Sequence, residues 1–217
     1  MKGSYPSANG NMLMTTDRDW EALREIEIKL RCPSHDAVRE RLTALHAVDL
    51  GLMREWNEFF DTPDRQLSER RIALRIRTIE HQSDGRRESL ITVKGGRPAE
   101  DIQNRPSIDL HAEPAELAAG LFLQLGYRRT GAFEKWRHSW MLDEVRIELD
   151  ELPIYGLFIE LEGPDEQRIM AVRHRLNLDA LPPERTSYHG MLMEYLAAHP
   201  EAQGILQFSD RHRRRGT

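Results

Sequence analysis

Cys32 is the only cysteine in 217 residues, so no intrachain disulfide can form and a disulfide-framed secreted scaffold is excluded. No apolar run approaches the roughly 20 residues that a membrane-spanning helix needs. Nothing after Met1 joins a basic start to an apolar stretch of signal-peptide length. These absences lead to the expectation of a cytoplasmic protein without a membrane partner. An excess of basic residues is missing as well. The formal net charge of -5 argues against a general nucleic-acid binder, which usually carries a strong positive balance. The nine histidines show no H-E-x-x-H spacing, and there is no Walker loop, no G-x-S-x-G and no internal repeat.

Charge arranged in alternation is what the chain does have. In Glu25-Ile26-Glu27-Ile28-Lys29 every second residue is ionic, so a strand here puts two carboxylates and an ammonium on one face and Ile26, Ile28 and Leu30 on the other. The same design returns in Leu74-Arg75-Ile76-Arg77, Thr92-Val93-Lys94, Lys135-Trp136-Arg137, Arg146-Ile147-Glu148-Leu149-Asp150 and Phe158-Ile159-Glu160-Leu161-Glu162. Charges that leave water must be paired or must hold an ion. Clustered acids therefore imply cations, and Lys and Arg on neighbouring strands imply a polyanion whose oxygens the guanidinium forks suit. Together they describe a metal-bound polyphosphate.

The length suits one domain of moderate size. Residues 1–20 read as a mobile polar leader, 21–200 as the domain, and 201–217 as a basic, disordered tail containing Arg211-His212-Arg213-Arg214-Arg215. Strands are expected over about 24–31, 55–61, 72–79, 89–94, 103–110, 133–141, 144–151 and 157–162, with Leu142-Asp143 as a hairpin tip. A helix capped by Ser34 should bury Val38, Leu42 and Leu45. A second, over 114–125, carries Leu117, Leu121 and Leu125 as one stripe and stops at Gly126. Two more span about 165–176 and 187–198, separated by Pro182-Pro183. The fold class is α+β: an eight-stranded, mostly antiparallel closed barrel with a charged interior, flanked by about four helices. Eight strands leave an interior just wide enough for a narrow ligand. Trp136, Trp140, Phe60 and Phe158 fit core or rim packing, and Cys32 a structural place.

In order along the chain, the E-x-E-x-K opening, Phe60-Asp61-Thr62-Pro63-Asp64, Ala73-Leu74-Arg75-Ile76-Arg77, Thr92-Val93-Lys94-Gly95, Glu134-Lys135-Trp136-Arg137, Leu149-Asp150-Glu151-Leu152, Gly156-Leu157-Phe158-Ile159-Glu160-Leu161-Glu162 and Ser187-Tyr188 resemble the CYTH superfamily, or triphosphate tunnel metalloenzymes. That family includes class IV adenylyl cyclases and thiamine and inorganic triphosphatases. The resemblance covers roughly residues 24–196. It implies that Glu25, Glu27, Glu148, Asp150, Glu160 and Glu162 hold one or two Mg²⁺ or Mn²⁺ ions, with Glu27, Asp150 and Glu160 the firmest ligands. Lys29, Arg75, Arg77, Lys94, Arg105, Lys135 and Arg137 are then the triphosphate ligands, and Lys29, Lys94, Lys135 and Arg137 the catalytic cations. The implied partner is a small-molecule triphosphate (ATP, tripolyphosphate or thiamine triphosphate) bound by a monomer or homodimer.

One departure concerns the fifth strand, where R-x-E-x-E is common and this chain reads Arg105-Pro106-Ser107-Ile108-Asp109. Ser107 lacks a carboxylate, and Pro106 lacks an amide proton, which predicts an edge or irregular strand. Two chemistries fit the resemblance: cyclisation of ATP, favoured by the Gly156-Leu157-Phe158 turn and Thr186-Ser187-Tyr188, and hydrolysis of a triphosphate. A third reading, a silent polyphosphate or nucleotide sensor, is motivated by Ser107.

Overall fold

The structure, a computed structural model, describes residues 23–96 and 101–209, so the expected leader and the arginine-rich run after residue 210 lie outside the described residues. Nine strands form: β1 (Arg24–Cys32), β2 (Val48–Asp61), β3 (Ala73–His81), β4 (Arg87–Lys94), β5 (Ile102–His111), β6 (Arg128–Leu142), β7 (Val145–Leu152), β8 (Gly156–Gly163) and β9 (Ile205–Leu206). Hydrogen-bonded neighbours run β2-β3-β4-β5-β1-β8-β7-β6, and β6 pairs back onto β2, so eight antiparallel strands close into a barrel. The ninth, β9, adds to β6 in parallel.

Helices α1 (Asp36–Ala44), α2 (Gln66–Glu69), α3 (Ala115–Gln124), α4 (Glu166–Arg175) and α5 (Tyr188–Ala198) surround it. Two begin where a side chain can satisfy an orphan amide: Asp165 Oδ1 accepts from Arg168 N at 2.8 Å, and Ser187 Oγ from Gly190 N at 2.9 Å. Ser34 Oγ accepts the Asp36 amide at 3.0 Å, closing the chain onto α1 from two residues upstream.

Alternation along the strands sends the apolar side chains outward, under the helices. Ile28, Leu30, Ile147, Leu149, Ile159 and Leu161 pack with Val38 and Leu42 of α1 and Ile169 and Val172 of α4. Phe59, Phe133, Leu152 and Phe158 instead share the inward parity of the charged residues and meet Tyr188, Met191 and Leu192 of α5, which covers one end of the barrel. Phe60, Leu74 and Ile76 meet Ala118, Ala119 and Phe122 of α3. Cys32 is buried and free, and burial pushes its thiol up to about 11, so it behaves as a small apolar residue. Each strand thus has a dry outer face, and the charged residues are left inside.

Several expectations are corrected. Among the described residues there are five α-helices beside the about four expected, the extra one being the four-residue α2, which has too little sequence to carry a periodic signal. β2 starts at Val48, before the expected 55, since Gly51 (φ 102°) and a register shift between Asp49 and Gly51 interrupt its alternation. The tip of the β6–β7 hairpin is Asp143-Glu144, with Asp143 left-handed at φ 54°. Leu117, Leu121 and Leu125 face outward, 70%, 55% and 65% exposed, while the smaller Ala118 and Ala119 let α3 approach the sheet. Pro106 meets the second of its two expectations, irregularity, since β5 changes partner there: Ile102 through Pro106 pair with β1 and Ser107 through His111 with β4. Its carbonyl accepts from Gly95 N at 2.9 Å where the β4 ladder ends, so the missing N–H costs one terminal ladder bond. Residues 200–206, assigned in part to the tail, form a 3-10 turn and β9, and Phe208 is buried.

Candidate active site

The barrel encloses a cavity of about 800 Å³. Of the residues singled out from sequence, Glu25, Glu27, Lys29, Arg75, Arg77, Lys94, Arg105, Lys135, Arg137, Glu148, Glu160 and Glu162 line it. Asp150 does not. It lies beneath the wall, fully buried, and accepts from Lys135 Nζ at 2.9 Å, Arg137 Nε at 2.7 Å and Tyr188 Oη at 2.8 Å. Burial disfavours its ionised form, but Arg137 and Lys135 outweigh that and hold its carboxyl low.

Register brings the remaining groups together. Across β1 and β8, Glu27 faces Glu162 and Lys29 faces Glu160; across β7 and β8, Glu148 faces Glu160. Lys94 Nζ pairs with Glu25 Oε2 at 2.5 Å and Arg105 Nη2 with Glu27 Oε1 at 2.7 Å. Arg137 Nη2 reaches Glu160 Oε2 at 2.5 Å, and Arg77 lies 3.7 Å from Glu55 and 3.3 Å from Asp109. Lys29 Nζ donates to the Thr186 carbonyl at 2.5 Å and stands 4.3 Å from the centre of the Tyr188 ring; Lys135 Nζ stands 4.9 Å from that centre. Burial and then Asp150 raise the Tyr188 hydroxyl well above its ordinary value, so it remains a donor.

The carboxylates are not equivalent. Glu25 is held far down despite burial by Lys94 and Arg105. Burial, followed by Glu25, raises Glu27; burial, followed by Glu25, pushes Glu162 up to about 7. Glu148 is raised by burial while accepting from Ser139 Oγ. Acids thus crowd along β1, β7 and β8. Among the described residues no three of them stand as a ready-made metal cluster, because Lys94, Arg105 and Arg137 draw Glu25, Glu27 and Glu160 apart.

Sequence reading missed several participants. Glu55 and Asn57 on β2 are buried inside; Glu55 lies 3.5 Å from Lys135, and Asn57 Oδ1 accepts from Arg75 Nη1 at 3.0 Å. Their alternation was legible, but Phe59, also on the cavity wall, breaks the polar series. Asp109, the acid that the fifth-strand motif retains, is readable from the sequence as a replacement for the second carboxylate there; it lines the cavity from an exposed position and accepts from Thr92 Oγ1 at 2.5 Å. Arg65, Ser68 and Arg71 reach the cavity from the α2 loop, where no strand period could announce them.

Comparison with known proteins agrees with this architecture. The family model of the CYTH domain matches residues 23–175. Adenylate cyclase CyaB of Aeromonas hydrophila is 30% identical over 187 residues, 82% of this chain and 93% of that protein. Among solved structures, the PH1819 protein of Pyrococcus horikoshii OT3 is 23% identical with a TM-score of 0.66, over 79% of this chain and 99% of its own. HpAC1 of Hippeastrum, a protein with a dominant triphosphatase activity, is 20% identical with a TM-score of 0.63, over 79% of this chain and 96% of its own. The likeness to these two structures is one of fold.

Proposed function

Because the chain belongs to the CYTH domain family, we propose that it is a divalent-metal-dependent enzyme that draws a triphosphate into its barrel and converts ATP to cyclic AMP and pyrophosphate. The observation that carries this reading is the convergence of Lys29, Arg75, Lys94, Arg105, Lys135 and Arg137 with five glutamates on one enclosed cavity. Buried ion pairs seldom add net stability, so a whole lining of them is poorly explained by folding alone. The relationship to a protein named adenylate cyclase supports the choice of reaction.

The donor set fits a hard cation. Burial, followed by the neighbouring Glu25 charge, pushes the Glu162 carboxyl up to about 7, and an all-oxygen site of this kind suits Mg²⁺ or Mn²⁺. Glu25, Glu27, Glu148, Glu160 and Glu162 would hold one or two ions, and Asp150 would join them only if Lys135 and Arg137 left it for phosphate oxygens. A bound ion supplies charge neutralisation on the phosphate chain and polarises phosphorus for in-line displacement.

The chain's own residues do the rest. Arg75 and Arg77 on β3 and Lys94 on β4 grip phosphate oxygens from one side of β2, and Lys135 and Arg137 on β6 from the other side of that strand. Lys29, held over Tyr188, completes the ring. As the ribose 3'-hydroxyl gives up its proton to water and its oxygen bonds the α-phosphorus, the bond from that phosphorus to the oxygen bridging to the β-phosphorus breaks and negative charge grows on pyrophosphate. These fixed cations stabilise that charge without reorganising.

Ser107 favours a second reading, hydrolysis of tripolyphosphate, thiamine triphosphate or a nucleoside triphosphate, because one fewer carboxylate leaves the wall less suited to a second ion. Product analysis by anion-exchange chromatography, after incubation with ATP or tripolyphosphate and Mg²⁺ or Mn²⁺, separates the two. Cyclic AMP with pyrophosphate supports the cyclase. Orthophosphate, released faster from tripolyphosphate than from ATP, supports the triphosphatase. No product from either, with binding that ignores metal, leaves a sensor.

A further inference from the structure

Inside the barrel most cations have an acid opposite them: Lys94 has Glu25, Arg105 has Glu27, Arg77 has Glu55 and Asp109, and Lys135 and Arg137 have Asp150. The balance changes toward the α2 loop. Arg65 and Arg71 line the same cavity, at either end of α2, and no ion pair engages either guanidinium among the described residues. The nearest barrel cation along the chain, Arg75, bonds the neutral amide of Asn57, and burial together with Arg77 lowers it to about 10. The acids of this loop do not offset the charge at the cavity: Asp61, Asp64 and Glu69 are all absent from its wall.

The loop is also fixed. Arg65 (φ 61°) and Arg71 (φ 57°) both take the left-handed backbone that side chains other than glycine adopt at a cost. Asp61 enforces it, its buried carboxylate accepting from Leu67 N at 2.9 Å, Ser68 N at 3.0 Å, Ser68 Oγ at 2.5 Å and Thr62 N at 2.7 Å. Gly190 and Met193 of α5 also line the cavity. Two guanidiniums on a pinned loop, uncompensated by acids and opening onto a polyanion tunnel, match an oxyanion with free oxygens.

We propose that Arg65 and Arg71 form a further phosphate subsite at the mouth of the tunnel, holding a phosphate beyond those gripped by the strand cations. The subsite makes the protein read chain length and favour linear polyphosphates of four or more phosphates, inorganic or nucleoside-capped. It rests on the triphosphate reading of the barrel.

Calorimetric titration of the full chain with tripolyphosphate and with tetrapolyphosphate, in metal-free buffer so that no turnover intervenes, tests it. The comparison is with the double variant Arg65→Asn/Arg71→Asn, since Asn tolerates the left-handed backbone. The expected result is that wild type binds the tetraphosphate about tenfold more tightly, the scale of one added charge-assisted contact. In the variant that preference falls to about twofold or less, with tripolyphosphate affinity nearly kept. An unchanged preference, or an equal loss for both chains, overturns the subsite. Equal binding of both chains by wild type defeats the subsite and spares the triphosphate reading; no binding of either, in this buffer and again with Mg²⁺ added, defeats both. Orthophosphate bound by wild type and not by the variant, with the chain-length preference unaltered, would assign the arginines to a released product and overturn the proposal.

Discussion

Arg137 holds Asp150 with a fork, Nε meeting Oδ1 at 2.7 Å and Nη2 meeting Oδ2 at 2.6 Å, while the same Nη2 reaches Glu160 at 2.5 Å. A lysine keeps the charge but cannot make both contacts in one plane. Arg137→Lys is therefore expected to fold, with an unchanged far-ultraviolet circular dichroism spectrum, and to lose about 10²-fold in kcat, the scale of one charge-stabilising donor. Turnover close to wild type would remove Arg137 from the machinery.

Asp150 matters to folding in a way the wall glutamates do not. Asp150→Asn leaves Lys135 and Arg137 without their shared, fully buried counter-charge. Breaking a buried pair from one side costs about 3–5 kcal/mol. Glu55, within 3.5 Å of Lys135 and 3.9 Å of Arg137, offsets part of this, which points to the lower end. Urea unfolding monitored by tryptophan fluorescence measures it. A loss below about 1 kcal/mol would show that the acids left beside them, Glu55 and the Glu160 that Arg137 also meets, suffice.

Glu162 gives the site a pH signature. Its carboxyl moves from an ordinary 4.5 in the unfolded chain to about 7 in the fold. The folded state therefore binds the proton more tightly. Its contribution to stability is complete below pH 4.5 and lost as pH rises toward 7, by about 3 kcal/mol at most. Thermal melts without divalent metal should show this fall, and Glu162→Gln should flatten it. Millimolar Mg²⁺ should raise Tm more at pH 8 than at pH 6, because the ion competes with the proton. Identical pH slopes for wild type and variant would exclude Glu162 as the source.

Gly131 sets the seat of α5. A Cβ there would lie 2.9 Å from Leu196 Cδ1, 3.1 Å from Leu192 Cδ2 and 3.2 Å from Met193 Cε. Gly131→Val should displace the helix at a cost of about 1–3 kcal/mol. Since α5 carries Tyr188 to Asp150, kcat should fall as well. Loss of stability with full activity would mean that α5 is packing alone.

The facing of side chains was legible because alternation is a local property: Glu25, Glu27 and Lys29 had to share a side once β1 formed. Depth was not legible. Asp150 and Glu148 occupy equivalent inward positions on β7, yet Glu148 meets the cavity and Asp150 lies under Tyr188, a contact between residues 38 apart in sequence. The orientation of α3 was equally hidden. Its one charged residue is Glu116, so the helix offers apolar side chains on more than one face, and the sheet selected Ala118, Ala119 and Phe122 over the leucines. The α2 loop depends on Asp61, which accepts five bonds from Thr62, Leu67 and Ser68, local contacts that follow no strand or helix period.

The seam between β2 and β6 joins residues 48–61 to residues 128–141 and brings Glu55 opposite Lys135. Closing so long a loop is entropically late, since distant pairings form only after nearer ones have shortened the chain. The cavity is bounded on one side by that seam, so it does not exist in any species in which the barrel is still open. A polyphosphate can recognise only the finished chain. Ligand added during refolding should then leave the folding rate untouched and slow unfolding alone, making substrate a guardian of the native state rather than a template for reaching it.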